Sequence, residues 1–97
     1  RQVVGNTVME LDSLTVTTDT ESMVLPQKEF MLLYKMLSYP GKIFTRYQLM
    51  DEIWGYDNES DSHTVDVHIG RLRERFRNNT DFKIVTMRGV GYKVVKL

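Results

Sequence analysis

Ninety-seven residues are enough for one domain and too few for two. Hydrophobic residues make up 41% of them and aromatics 10%, so a core can form unaided, while the absence of cysteine excludes disulfides and thiolate metal sites. Thirteen basic residues balance thirteen acidic ones, which argues against a nucleic-acid partner until their placement is considered. Residues 1–62 carry five basic and ten acidic side chains, whereas residues 63–97 carry eight and three. Such a split gives one surface suited to an anion and one that is not, although small domains also show uneven charge by chance. No apolar run approaches the roughly 20 residues of a membrane span. The chain begins at Arg1 without an apolar leader. We therefore expect a cytoplasmic fragment of a longer protein.

In chain order, residues 2–25 alternate β-favouring runs with turn residues. Gln2–Val4, Thr7–Leu11, Leu14–Thr17 and Met23–Leu25 are too short for helices, and threonine and valine dominate them. An antiparallel meander follows, with no chemistry visible in it. Pro26 opens a helical period, with Phe30, Leu33, Tyr34 and Leu37 on one stripe that Met31 and Met36 widen. Proline suits a first helical turn, and Glu29 suits the positive end of the helix dipole. Pro40-Gly41 ends this helix, and Ile43-Phe44 forms an extended link. Thr45 and Gln48 have the spacing of a capping box, opening a second helix that Gly55 stops. Tyr56–Ser62 is acidic and turn-like. A third helix is expected over His63–Arg77, then a loop, a strand at Phe82–Met87, a tight turn at Arg88–Gly91 and a returning strand at Tyr92–Val95.

The third helix is the most informative. At about 100° per residue, Val65, Ile69, Leu72 and Phe76 share the sector that must face a core. Opposite lie His63, Thr64, Val67, Gly70, Arg71 and Glu74, flanked by His68 and Arg75 on one side and Arg73 and Arg77 on the other. Such a face suits a DNA major groove. Arginine can bond a guanine edge, valine and threonine methyls can meet thymine, and the flanking arginines can reach phosphates on either wall. A solvated helix surface is the alternative for this helix taken singly. Two neighbours shift the balance: a capped helix before it, across a connection longer than usual, and a hairpin after it. Arg88 at the hairpin tip is shaped for a minor groove, where negative potential concentrates.

Five segments carry a family resemblance: Leu25–Leu33, Phe44–Leu49, Ile53–Tyr56, Thr64–Arg73 and Val85–Tyr92. Across its length the chain resembles the effector domain of OmpR/PhoB-family response regulators. The resemblance implies an α+β winged helix-turn-helix fold: an N-terminal four-stranded sheet over 1–25, a three-helix core over 26–77 and a hairpin wing over 82–97. It implies an upstream phosphorylatable receiver domain addressed by a cognate sensor kinase, and paired binding with a second protomer to direct-repeat promoter sites. By position, Thr64, Val67, His68 and Arg71 would meet bases or phosphates, Arg73 phosphate, and Arg88 the minor groove. With the flanking Arg75 and with His63, these are the candidate DNA-binding residues. Loop 55–62 corresponds to a segment that touches RNA polymerase in some relatives. Three positions depart from the family pattern. Pro26 replaces a frequent capping threonine, and His63 and Gly70 stand where arginine is frequent, so no contact is assigned to Gly70.

Other chemistry falls away. His63 and His68 are about 140° apart on the helix and cannot share a metal. Gly89-Val90-Gly91 is too short for a phosphate-binding loop. Asp57, Glu59 and Asp61 lack the glycine and terminal glutamate of a calcium loop. Asp51 and Glu52 point apart, and Trp54 suits a core or an interface better than a stacking platform. We expect no enzyme and no cofactor. The competing function is a winged-helix protein-interaction module, for which an apolar patch on the third helix would be the sign.

Overall fold

A computed structural model of the chain describes residues 1–55 and 61–97. The N-terminal residues form the expected meander of β1 (Gln2–Val4), β2 (Thr7–Glu10), β3 (Thr15–Thr17) and β4 (Ser22–Val24), paired antiparallel in sequence order. Alternation decides its faces. Val4, Met9 and Val16 point into the core, while Val3 and Val24 lie exposed on the other side. Leu11, expected as the end of a strand, instead starts a short 3-10 turn through Ser13.

Helix α1 (Gln27–Ser38) crosses beneath this sheet and buries Phe30, Leu32, Leu33, Met36 and Leu37. Pro26 stands just before the first turn rather than within it. It offers no side-chain cap, and its carbonyl accepts a 2.9 Å hydrogen bond from the Phe30 amide. Phe44, expected with Ile43 to form an extended link, instead joins Thr45 in a strand, β5 (Phe44–Thr45). Thr45 also caps α2 (Arg46–Leu49) through the capping box its spacing foretold: its hydroxyl accepts from the Gln48 amide at 3.1 Å, and Gln48 accepts from the Thr45 amide at 2.8 Å. The helix then widens into a π turn, Met50–Trp54, and stops at Gly55.

Helix α3 (His63–Arg75) follows, its first amide bonded to the Asp61 carboxylate at 3.0 Å. Val65, Ile69 and Leu72 are buried as expected. Phe76 is buried too, but from beyond the helix: the backbone turns at that residue, and its ring packs 5.6 Å from that of Phe82. Strands β6 (Phe82–Met87) and β7 (Gly91–Lys96) form the hairpin, and β5 pairs with the outer edge of β7, giving a three-stranded sheet of order β5-β7-β6. Gly91 makes this third strand possible. A Cβ there would lie 1.9 Å from the Phe44 carbonyl oxygen, so only glycine lets the two backbones approach. Sheet, helices and hairpin share one core running from Val4 to Val94.

Candidate nucleic-acid interface

The outer face of α3 and the tip of the β6–β7 hairpin stand on the positively charged part of the chain. Core burial of Val65, Ile69 and Leu72 fixes which face of α3 turns outward. On that face His63, Val67, Gly70 and Arg71 are exposed and Thr64 is half-buried. Arg88 is exposed at the hairpin tip, beside Gly89, whose φ of +76° makes the turn. Neither Arg71 nor Arg88 has an ion-pair partner among the described residues.

Three of the expected contact residues have internal partners. Arg73 donates from one guanidinium nitrogen to the Ile84 carbonyl (3.1 Å) and to the Thr86 hydroxyl (2.7 Å), with its guanidinium 5.6 Å from the Tyr92 ring. It ties α3 to the hairpin. Arg75 turns the opposite way and pairs at 2.7 Å with Glu29, a carboxylate only 2% exposed at the start of α1. A carboxylate that deep needs such a partner. His68 donates to the Thr64 carbonyl at 2.9 Å and packs edge-on against Trp54, with ring centroids 4.8 Å apart. Its ring is wedged between elements rather than held out to a groove.

Asp66 escaped the sequence reading entirely. Its Oδ1 accepts hydrogen bonds from Arg46 Nε at 2.8 Å and from the Tyr92 hydroxyl at 2.5 Å, and its Oδ2 lies 3.6 Å from His63 Nδ1. One carboxylate thus joins the start of α2, the first turn of α3 and the start of β7, next to the hairpin turn. Burial pushes the Asp66 carboxyl up, but the bonds from Tyr92 and Arg46 outweigh it and hold the group below the ordinary aspartate range. Burial and the neighbouring carboxylate push the Tyr92 phenol up. The missed signal was the acid itself: Asp66 is the one negative charge in the first turn of a helix otherwise rich in arginine.

Of loop 55–62, residues 56–60 lie outside the described residues, and with them the expected polymerase-contacting segment. Among the described residues no cluster of three or more His, Cys, Asp or Glu could hold a metal, and no helix is long and apolar enough to cross a membrane.

A family profile described as "Transcriptional regulatory protein, C terminal" matches residues 20–94. The heme response regulator HssR of Staphylococcus aureus is 47% identical over 92 residues, covering 94% of this chain and 41% of HssR. The chain therefore spans about two fifths of the length of that curated relative. Among solved structures, the DNA-binding domain of Bacillus subtilis CssR matches with a TM-score of 0.80 at 27% identity, covering 92% of this chain and 99% of that one. The DNA-binding domain of Klebsiella pneumoniae RstA, solved in complex with the RstA box, gives 0.81 at 25% identity, covering 96% and 94%.

Proposed function

The chain belongs to the family of transcriptional regulatory protein C-terminal domains, the effector domains of OmpR/PhoB-type response regulators, and on that premise we propose that it binds duplex DNA sequence-specifically. The observation that carries this reading is an exposed α3 face beside an exposed arginine-tipped hairpin, both mounted on the basic part of the chain. Helix α3 enters the major groove with Thr64, Val67 and Arg71 toward base edges and His63 toward a base or phosphate. Arg88 on the hairpin, the wing of this fold, enters the adjacent minor groove.

Arg73, Arg75 and His68 serve this binding by holding α3 in place, each through one nitrogen bonded to Ile84 and Thr86, to Glu29 or to Thr64. The domain works by recognition and carries out no reaction of its own. In the cytoplasm, a receiver domain upstream of these residues takes the signal from a sensor kinase by phosphorylation. Two protomers then occupy a direct repeat, and loop 55–62 meets RNA polymerase. The extra length of HssR relative to this chain leaves room for such a receiver.

Selection from random duplexes, repeated at two salt concentrations, tests the central statement. We expect a direct repeat spaced about 10–11 bp and, with five or six phosphate contacts, a slope of log K against log salt of about −5. Enrichment of no sequence together with a flat salt response would favour the protein-interaction reading instead.

A further inference from the structure

Gly70 has no internal reason to be glycine. Its backbone is ordinary for a helix, and a Cβ built on it would meet nothing within 4 Å. Every other glycine of the chain either adopts a positive φ or, at Gly91, touches backbone. In the middle of a helix glycine is the weakest residue short of proline. Alanine would fit and strengthen α3, so the compensation for glycine lies outside the chain.

Its position narrows what lies there. Gly70 sits at the centre of the outer face of α3, one turn after Val67 and one turn before Glu74. Two more neighbours one turn away are drawn aside, Asp66 onto Arg46 and Tyr92, and Arg73 onto Ile84 and Thr86. The helix backbone is therefore bare at this point. Beside it stands Val67, a large apolar side chain of this face that is 40% exposed. Any side chain at position 70 would hold a partner off by its own length, whereas glycine admits contact with the backbone itself.

We infer that Gly70 is where the floor of the DNA major groove meets α3, bringing Val67 against the C5-methyl group of a thymine. This rests on the DNA-binding reading above. The test starts from the duplex that the wild-type chain selects, in which uracil replaces each thymine in turn and so removes only the methyl group. At one position in each half-site affinity falls about fourfold, the worth of one buried methyl group. Gly70→Ala raises the thermal midpoint, binds the selected duplex about tenfold more weakly, and no longer distinguishes thymine from uracil. Higher stability with lower affinity is a combination that a purely structural role cannot produce. The inference is overturned if Gly70→Ala binds the selected duplex as tightly as wild type, or if uracil is tolerated at every position. Both results leave the DNA-binding reading standing, because a duplex has first been selected. Failure of the wild-type chain to select any duplex removes both.

Discussion

The N-terminal sheet and the α3–wing unit are both made of short elements, yet they use their polar side chains differently. Residues 1–25 hold one basic and four acidic residues, and the sheet is joined by backbone pairing between strands adjacent in sequence. Its polar side chains are mostly uncharged: some bond each other locally, as Thr17 does Ser22 and Thr18 does Thr20, and others reach far along the chain, Gln2 to Ser38 and Thr7 to Asp81 and Asn79. The α3–wing unit is bridged by charged side chains, Asp66 to Tyr92, Arg73 to Thr86 and Arg75 to Glu29. In this unit several charged residues tie the helix to the wing and to α1. Two of the four arginines on and just after α3, Arg73 and Arg75, therefore also have a structural task.

Substitutions sharpen this comparison, the largest effect coming from the wing. Gly91→Ala forces β5 away from β7 and should destabilise the fold by about 3 kcal/mol, seen as a lowered urea midpoint. A near-wild-type midpoint would mean that β5 contributes little to the wing. Arg75→Ala leaves the buried Glu29 carboxylate unpaired, and should remove about 2 kcal/mol of stability after allowance for the partly exposed arginine. At temperatures where the variant stays folded its duplex affinity should hold, and a large specific loss would return Arg75 to the DNA surface. Arg71→Ala and Arg88→Ala should do the reverse. Each weakens duplex binding by about 1–2 kcal/mol with an unchanged thermal midpoint.

Asp66 gives a smaller effect that depends on pH. Its folded-state carboxyl is more acidic than in the unfolded chain, so its stabilisation is complete above the ordinary aspartate range and is lost as pH falls through it. Wild type should therefore lose more stability than Asp66→Asn on going from about pH 5 to below about pH 3, and parallel curves would discount the joint. Least affected is the outer face of the sheet. Val24→Ser, at a side chain 70% exposed, should shift stability by less than about 0.5 kcal/mol and leave duplex binding untouched.

Much of the fold was legible because its signals are local. Turn residues at Gly5-Asn6 and Asp12-Ser13 divide the meander, and the Thr45–Gln48 pair announces α2. What escaped depends on distant partners. Strand β5 is two residues long, and its partners Tyr92 and Gly91 lie almost at the other end of the chain. The π turn after Leu49 could not be told from α-helix over five residues. The orientation of α3 followed from its period, but the partners of Arg73, Arg75 and His68 sit on other elements, where periodicity says nothing. Gly91 illustrates the same limit: expected as the end of the hairpin turn, it opens β7, because the Phe44–Thr45 backbone that pairs there lies far away in the chain.

The bridging by Asp66, Arg73 and Arg75 also has a consequence for engineering. These anchors and the core residues Val65, Ile69 and Leu72 interleave along α3 with the outward positions 63, 67, 70 and 71. The outward positions form a cassette that can be rewritten as a set, since among the described residues no side-chain hydrogen bond or ion pair ties them to another element, the one partner being Asp66 beside His63 on α3 itself. A library randomised there, with the anchors fixed, would vary what the helix recognises while the scaffold and the pitch of its wing stay constant.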